Sequence, residues 1–309
     1  MTSTSPLSYR FFAQAQQDVR RITSELGDLQ RQIASGTVAD TLQGFGAASG
    51  RLLSAQSTRA AVDARASVLN QLQARFGVQA AALGLVSDAS GELALSIREA
   101  IAANDGHGIA TALSLAFSSA VSALNETWNG QPMFAGERQS GRPIKVETLQ
   151  QLQAAAQPED VFDEAARHQL VKIDAGAPVR VAAKASELST GLFDSMSALQ
   201  TLLDNSGGQL GQPLAGTTAN DLLAFAAAFE AHAASFTIEE GRTGQLQKRL
   251  EHEAARLQVR SDLLAKEVGE QADADLAEVS IKLNSLMTQY EAAAKTFSEL
   301  SQLSLLRYL

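Results

Sequence analysis

The sequence contains no cysteine. Disulfides, thiolate metal sites and thiol nucleophiles are therefore excluded, and the absence suits a chain that works in an oxidising exterior. Aromatic residues make up only 5% of the chain, with one tryptophan, so a compact aromatic-rich core is not expected. Charged residues are also sparse at 19%, and the net charge is −9. Without a Lys/Arg tract there is nothing to neutralise phosphates, so nucleic acid is not an expected partner. No stretch is expected to supply the ~18 apolar residues of a membrane span, and no membrane partner is expected. The opening MTSTSPLSYRFFAQAQQ lacks the basic-then-apolar order of a Sec-type signal.

Catalytic groupings are equally scarce. The four histidines, His107, His168, His232 and His252, are scattered. His252-Glu253-Ala254-Ala255-Arg256 carries Arg where a zinc H-E-x-x-H motif needs its second ligand. Its expected place is a solvated helix face shared by Glu251, His252 and Glu253. His232 lies on an apolar stripe, as a satisfied core or interface histidine. The glycines at 207–216 have no following Lys and read as a surface loop. Ser195 lacks the G-x-S-x-G elbow. The expectation is a protein that is not an enzyme, with no cofactor and no metal.

Good helix formers fill the space that these absences leave. In the first 35 residues, Phe12, Ala15, Val19, Ile22, Leu26, Leu29 and Ile33 recur at alternating spacings of 3 and 4. That is a coiled-coil seam, and Gly36 ends it. At the other end Leu276, Val279, Leu283, Leu286, Tyr290, Ala293, Phe297 and Leu300 repeat the spacing, with Leu303 and Leu306 beyond. At ~1.5 Å per residue each helix would be roughly 40–50 Å long. Asp273 and Asp275 would complement the dipole where the last helix starts.

Between the seams, a second helix is expected to run to about Ala103, with Leu69, Phe76, Leu83, Val86, Leu93 and Ile97 on its stripe. Gln79 and Ser90 interrupt it. Gly77, Gly84 and Gly91 share one face, which a neighbouring helix would approach closely. Asn104 to Gly108 is a turn, and Ile109 to Trp128 a third helix. Residues 129–216 hold five of the six prolines. There Leu170–Asp174 and Val179–Val181 read as a β-hairpin, with short helices around 146–156 and 192–203. A helix then restarts with Asn220 as N-cap.

The expected fold is mainly α: nested long antiparallel helices with terminal coiled-coil segments and a small central α/β insert containing the β-hairpin. The expected domains are 1–40 with 270–309 as terminal coiled-coil assembly domain, 41–140 with 217–269 as helical core, and 141–216 as a small variable domain. The assembly interface is placed on Phe12, Val19, Ile22, Leu26, Leu29, Ile33, Val279, Leu283, Leu286, Tyr290, Phe297, Leu300, Leu303 and Leu306.

Local motifs add a resemblance. DLAEVSIKL at 275–283 and QYEAA at 289–293 resemble the C-terminal helix of bacterial flagellins and their relatives. The ending SELSQLSLLRYL at 298–309 is similar to that of hook-filament junction proteins. RTGQLQKRLE at 242–251 is similar to the family's Arg/Gly/Arg-Leu helix motif. Phe134-Ala135-Gly136, followed by Pro143, looks like the turn that closes the N-terminal helical half of junction proteins. The Asp-Asp-Pro loop of many members does not follow Gly36.

The resemblance implies a structural subunit of the flagellum whose terminal helices complete one another's cores around a central channel. The junction between hook and filament is the first expectation. Flagellin itself and a non-flagellar coiled-coil scaffold stand as alternatives. Implied partners are further copies of the chain in a ring or helical layer, the adjoining hook-associated protein, flagellin, an export chaperone and the flagellar type III export apparatus. The implied location is extracellular, reached by secretion without a cleaved signal.

Overall fold

The computed structural model describes residues 6–156, 158–173, 176–214 and 216–305, the side chains excepted at 6–12, 158–159 and 300–305. The long elements are α1 (Pro6–Ser35), α2 (Ser49–Ala103), α3 (Ile109–Leu124), α6 (Ala185–Asn205), α7 (Gly216–Ala272) and α8 (Leu276–Leu305). Between α3 and α6 lie the short pieces β1 (Thr127–Trp128), β2 (Gln131–Pro132), α4 (Leu149–Ala154), α5 (Pro158–Val161), β3 (Leu170–Val171) and β4 (Val179–Arg180). The expected mainly α fold with a small hairpin-bearing insert is the one observed. The chain divides into two compact units, Met1–Asp63 with Gln258–Leu309, and Ala64–Leu257.

In the unit spanning Ala64–Leu257, α2 and α7 run antiparallel. Gln79 Nε2 lies 3.4 Å from Thr243 Oγ1, Ser87 Oγ donates to the Ala233 carbonyl, and Arg98 grips Glu230 through two bonds of 2.6 and 2.8 Å. Both α2 interruptions are buried: Gln79 faces Thr243, and Ser90 donates to its own helix at Val86. Arg75 is buried as well, its Nε has no hydrogen-bond partner, and desolvation lowers its pKa from the usual guanidinium value. The close approach of a neighbouring helix expected along the α2 glycines is not found: one of the three positions is tight, and only against the end of a side chain. A Cβ would meet Gln247 at Gly77 and Glu240 at Gly84, but nothing at Gly91.

The stripes of α2, α3 and α7 share one core with residues of α4 to α6, including Leu83, Leu93, Leu113, Phe117, Leu152, Leu192, Phe193 and Phe229. The core is mostly aliphatic and alanine, with a few phenylalanines in contact: Phe193 contacts Phe117 at 5.7 Å and stacks on Phe162 at 6.0 Å. The insert is tied down by charge. The Glu164 carboxylate accepts from the Ser186 N–H and hydroxyl, and Lys184 lies 3.2 Å from it. His168 Nε2 meets Glu187 at 3.0 Å.

Four further expectations are corrected. Helix α3 stops at Leu124, and Trp128 pairs with Gln131 in an antiparallel hairpin instead of extending the helical stripe. The turn is Asn129-Gly130, and both residues have positive φ, 51° and 77°. That is the chemistry of a two-residue hairpin. Asn220 caps nothing, because α7 begins at Gly216 and passes through it. Glu253 is 7% exposed, bonded to Arg256 at 2.8 Å with Arg65 at 3.7 Å, while His252 is exposed. Finally, the helical stretch Leu42–Ala103 is long and apolar enough to cross a membrane by length and composition. Its alanine content raises hydropathy, and its Leu, Val and Phe stripe is buried in protein. The β3–β4 hairpin was expected and is found, with Leu170 opposite Arg180 and Val171 opposite Val179; its tip at 174–175 lies outside the described residues.

Candidate functional site

The two terminal helices meet in an antiparallel pair, within the unit of residues 1–63 and 258–309. Their shared end is built by backbone chemistry. Gly36, with φ +72°, closes α1 and bonds back to the Gln32 carbonyl at 2.9 Å. The chain then makes a short antiparallel bridge, Thr37 against Asp273. Val38 N–H donates to Ala272, and Ala274 N–H donates to Gly36. Asp275 starts α8 as an N-cap: one carboxylate oxygen accepts from the N–H groups of Ala277 and Glu278 at 3.0 and 3.1 Å. The end of α1 and the start of α8 are thus clamped side by side, which fixes the register of both seams.

Along the pair, burial is partial. Ile22 and Val279 are buried at 4% and 7% exposure. Val19, Leu26, Leu29, Leu283, Leu286 and Phe297 are half-buried. Ile33 and Tyr290 are exposed at 37% and 38%. Phe12, Leu300 and Leu303 lie on α1 and α8, but their side chains are outside the described residues, as is the whole of Leu306. A groove of about 440 Å³ runs along the pair, lined by Glu25, Asp28 and Leu29 from α1 and by Lys282, Leu286 and Gln289 from α8. Two exposed residues on α8 escaped the seam pattern, Ile281 and Met287. Met287 lies four residues after Leu283 and three before Tyr290, so that spacing could have revealed it as the seam's outer edge. Two helices bury one stripe each; the outer halves of these side chains stay in water.

Among the described residues, the grouping that most resembles catalytic chemistry is Ser195 with His232, on α6 and α7. The Ser195 hydroxyl donates to the Gly191 carbonyl at 2.9 Å, which leaves its lone pairs facing His232 Nε2 at 3.1 Å. A hydroxyl whose proton is held by its own helix is poorly placed as a nucleophile. Burial lowers the His232 pKa, and the nearby Asp194 partly opposes this. The ring fits because position 191 is glycine; a Cβ there would meet His232 Cε1 at 3.1 Å. This is a packed interface histidine, as its stripe position suggested. Among the described residues, no group of three or more His, Asp or Glu is disposed to hold a metal.

The architecture is that of a nested helical protein whose two chain ends pair. Residues 228–309 match the family described as the bacterial flagellin C-terminal helical region. No curated protein matches the chain. Among solved structures, a flagellar hook-associated protein from Vibrio parahaemolyticus is similar over 75% of this chain and 99% of its own, with 15% identity and a TM-score of 0.56. FlgL of Bacillus cereus aligns over 82% of this chain and 99% of its own, with 11% identity and a TM-score of 0.42. The C-terminal part of the chain, from mid-α7 through α8, is thus similar to the bacterial flagellin C-terminal helical region, in line with the resemblance in its motifs.

Proposed function

We propose that this chain is a structural subunit of the bacterial flagellum that polymerises through its terminal helices, at the junction between hook and filament. The observation that carries the reading is the half-buried seam of α1 and α8, lying partly within the flagellin C-terminal region. Side chains such as Leu26, Leu29, Leu283 and Leu286 already lose part of their water in the pair. Further copies would remove the rest, at about 25 cal/mol per Å² of apolar surface. The groove between Leu29 and Leu286 is where a neighbouring helix would enter. The role is mechanical and needs no catalytic group. By the same reading the chain leaves the cell through the flagellar type III apparatus with an export chaperone, and it touches the adjoining hook-associated protein and flagellin.

Electron microscopy of a deletion strain tests the junction role. The expected phenotype is hooks without filaments, with unpolymerised flagellin in the medium and motility restored by the wild-type chain. Filaments of normal length on the deletion strain would refute it. Filament stubs on the deletion strain, with this chain found along the length of wild-type filaments, would identify a filament subunit instead.

A further inference from the structure

Within residues 64–257, α6 and α7 leave an open groove of about 660 Å³ that the core does not use. Asp194, Ser195, Ala198 and Leu202 line it from α6, and Asp221 and Phe225 from α7. The two helices run in opposite directions there: Ser195 faces His232, while the groove's other end joins Asn205 to Asp221. The two carboxylates therefore stand on opposite walls and at opposite ends. The floor is apolar, with Phe225 half-buried and Ala198 exposed, and no Lys or Arg lines it. Such a groove suits a helix face with a small apolar centre and two cations set diagonally across it.

The chain carries that face itself. On α7, Val259 and Leu263 are 61% and 64% exposed, unusually high for large aliphatic side chains. They are one turn apart on one face. Arg260 and Lys266 are exposed and lie three residues before and after Leu263, on either side of the stripe. They are separated by ~9 Å along the axis, and their flexible stems extend that reach. Lys266 has Glu270 at 3.8 Å, a fully solvated pair that costs little to exchange.

We propose that the α6–α7 groove receives the Val259–Leu263 stripe of a second copy of this chain, with Asp194 and Asp221 meeting its Arg260 and Lys266. Groove and stripe are different surfaces, so the contact is heterologous and repeats into a ring or helix instead of closing as a dimer. One such contact is small beside a stable interface. It gains strength only by repetition alongside the terminal seams, and so rests on the reading that the chain polymerises.

The absence of native cysteine makes the test direct. Full-length Ala198→Cys and Val259→Cys chains are mixed, allowed to assemble, and oxidised. Mixed disulfide dimers are expected, well above like-with-like dimers and above a Ser118→Cys control paired with either. The double reversal Asp194→Lys, Asp221→Lys should lower the mixed yield about tenfold. Arg260→Glu with Lys266→Glu on the opposite chain should restore it, while circular dichroism stays unchanged. Particles that assemble without the mixed disulfide overturn the groove and leave the polymer reading intact. A mixed disulfide in a chain that never restores motility supports the groove and sinks the flagellar reading.

Discussion

At the residue scale, Gly136 shows how one position can hold an insert to a helical core. Phe134 and Ala135 are fully buried, and Ala185 N–H, at the start of α6, donates to the Phe134 carbonyl at 2.8 Å. The chain must then turn at once, and Gly136 does so at φ +65°. An added Cβ would sit 2.4 Å from the Arg167 carbonyl oxygen, which is backbone and accepts from Glu137 N–H at 3.0 Å. Gly136→Ala therefore combines a disfavoured φ with a clash that no side chain can relieve. The expected loss is about 3 kcal/mol, measured by urea unfolding; a loss within error of zero would refute the turn. His232 gives a pH signature. Burial lowers its folded pKa, so the unfolded chain binds the extra proton first. Stability from this residue is full above the unfolded value of about 6.5 and falls as pH drops below it. His232→Gln should flatten the stability profile below about pH 6.5, and an unchanged profile would assign the pH dependence elsewhere.

At the element scale, the terminal pair depends on its clamp and its seam. Asp275→Ala removes the acceptor for two N–H groups and should cost α8 about 1 kcal/mol, read as loss of helical signal with the Ala64–Leu257 unit unchanged. Leu286→Asp places a charge in a seam that assembly would desolvate, at a cost of several kcal/mol unless paired. Polymerisation should be lost by sedimentation while the monomer stays folded; normal particles would refute the seam as an interface. The helices behind these predictions were legible because 3,4 periodicity is written directly in α1, α2, α7 and α8. What hid was chemistry that period cannot report. Asn129-Gly130 is a turn signal, but the apolar spacing of Leu124 and Trp128 masked it. Asn220 can cap a helix, yet α7 already starts at Gly216. Glu253 read as solvated because its burial depends on Arg65, far away in sequence. The clamp at Thr37 and Asp273 is non-local backbone pairing without a side-chain signature. The seam residues themselves were readable, but their degree of burial was not, since it depends on how many helices share them.

At the scale of the whole molecule, the two compact units differ in how far they satisfy their own apolar surface. The Ala64–Leu257 unit closes a core in which Leu83, Val86, Ile97, Leu192, Met196, Leu222 and Phe229 have 0% exposure. In the other unit Ile22, Leu52 and Val279 are well buried, but most of the α1 and α8 seam keeps contact with water. Local stability follows buried apolar contact, so the monomer should unfold in two steps. Limited proteolysis is expected to cut the terminal helices first and to leave a fragment close to residues 64–257. Calorimetry should show a weaker, earlier transition that Leu286→Asp lowers and a later one that it leaves alone. Polymerisation draws chiefly on the folded terminal pair, the single α6–α7 groove contact being small, so mass action should raise the first transition more than the second as subunit concentration rises. Full protection of residues 13–35 in a proven monomer would mean that the pair is already complete without partners. The half-open seam would then lose its meaning as the driving force for assembly.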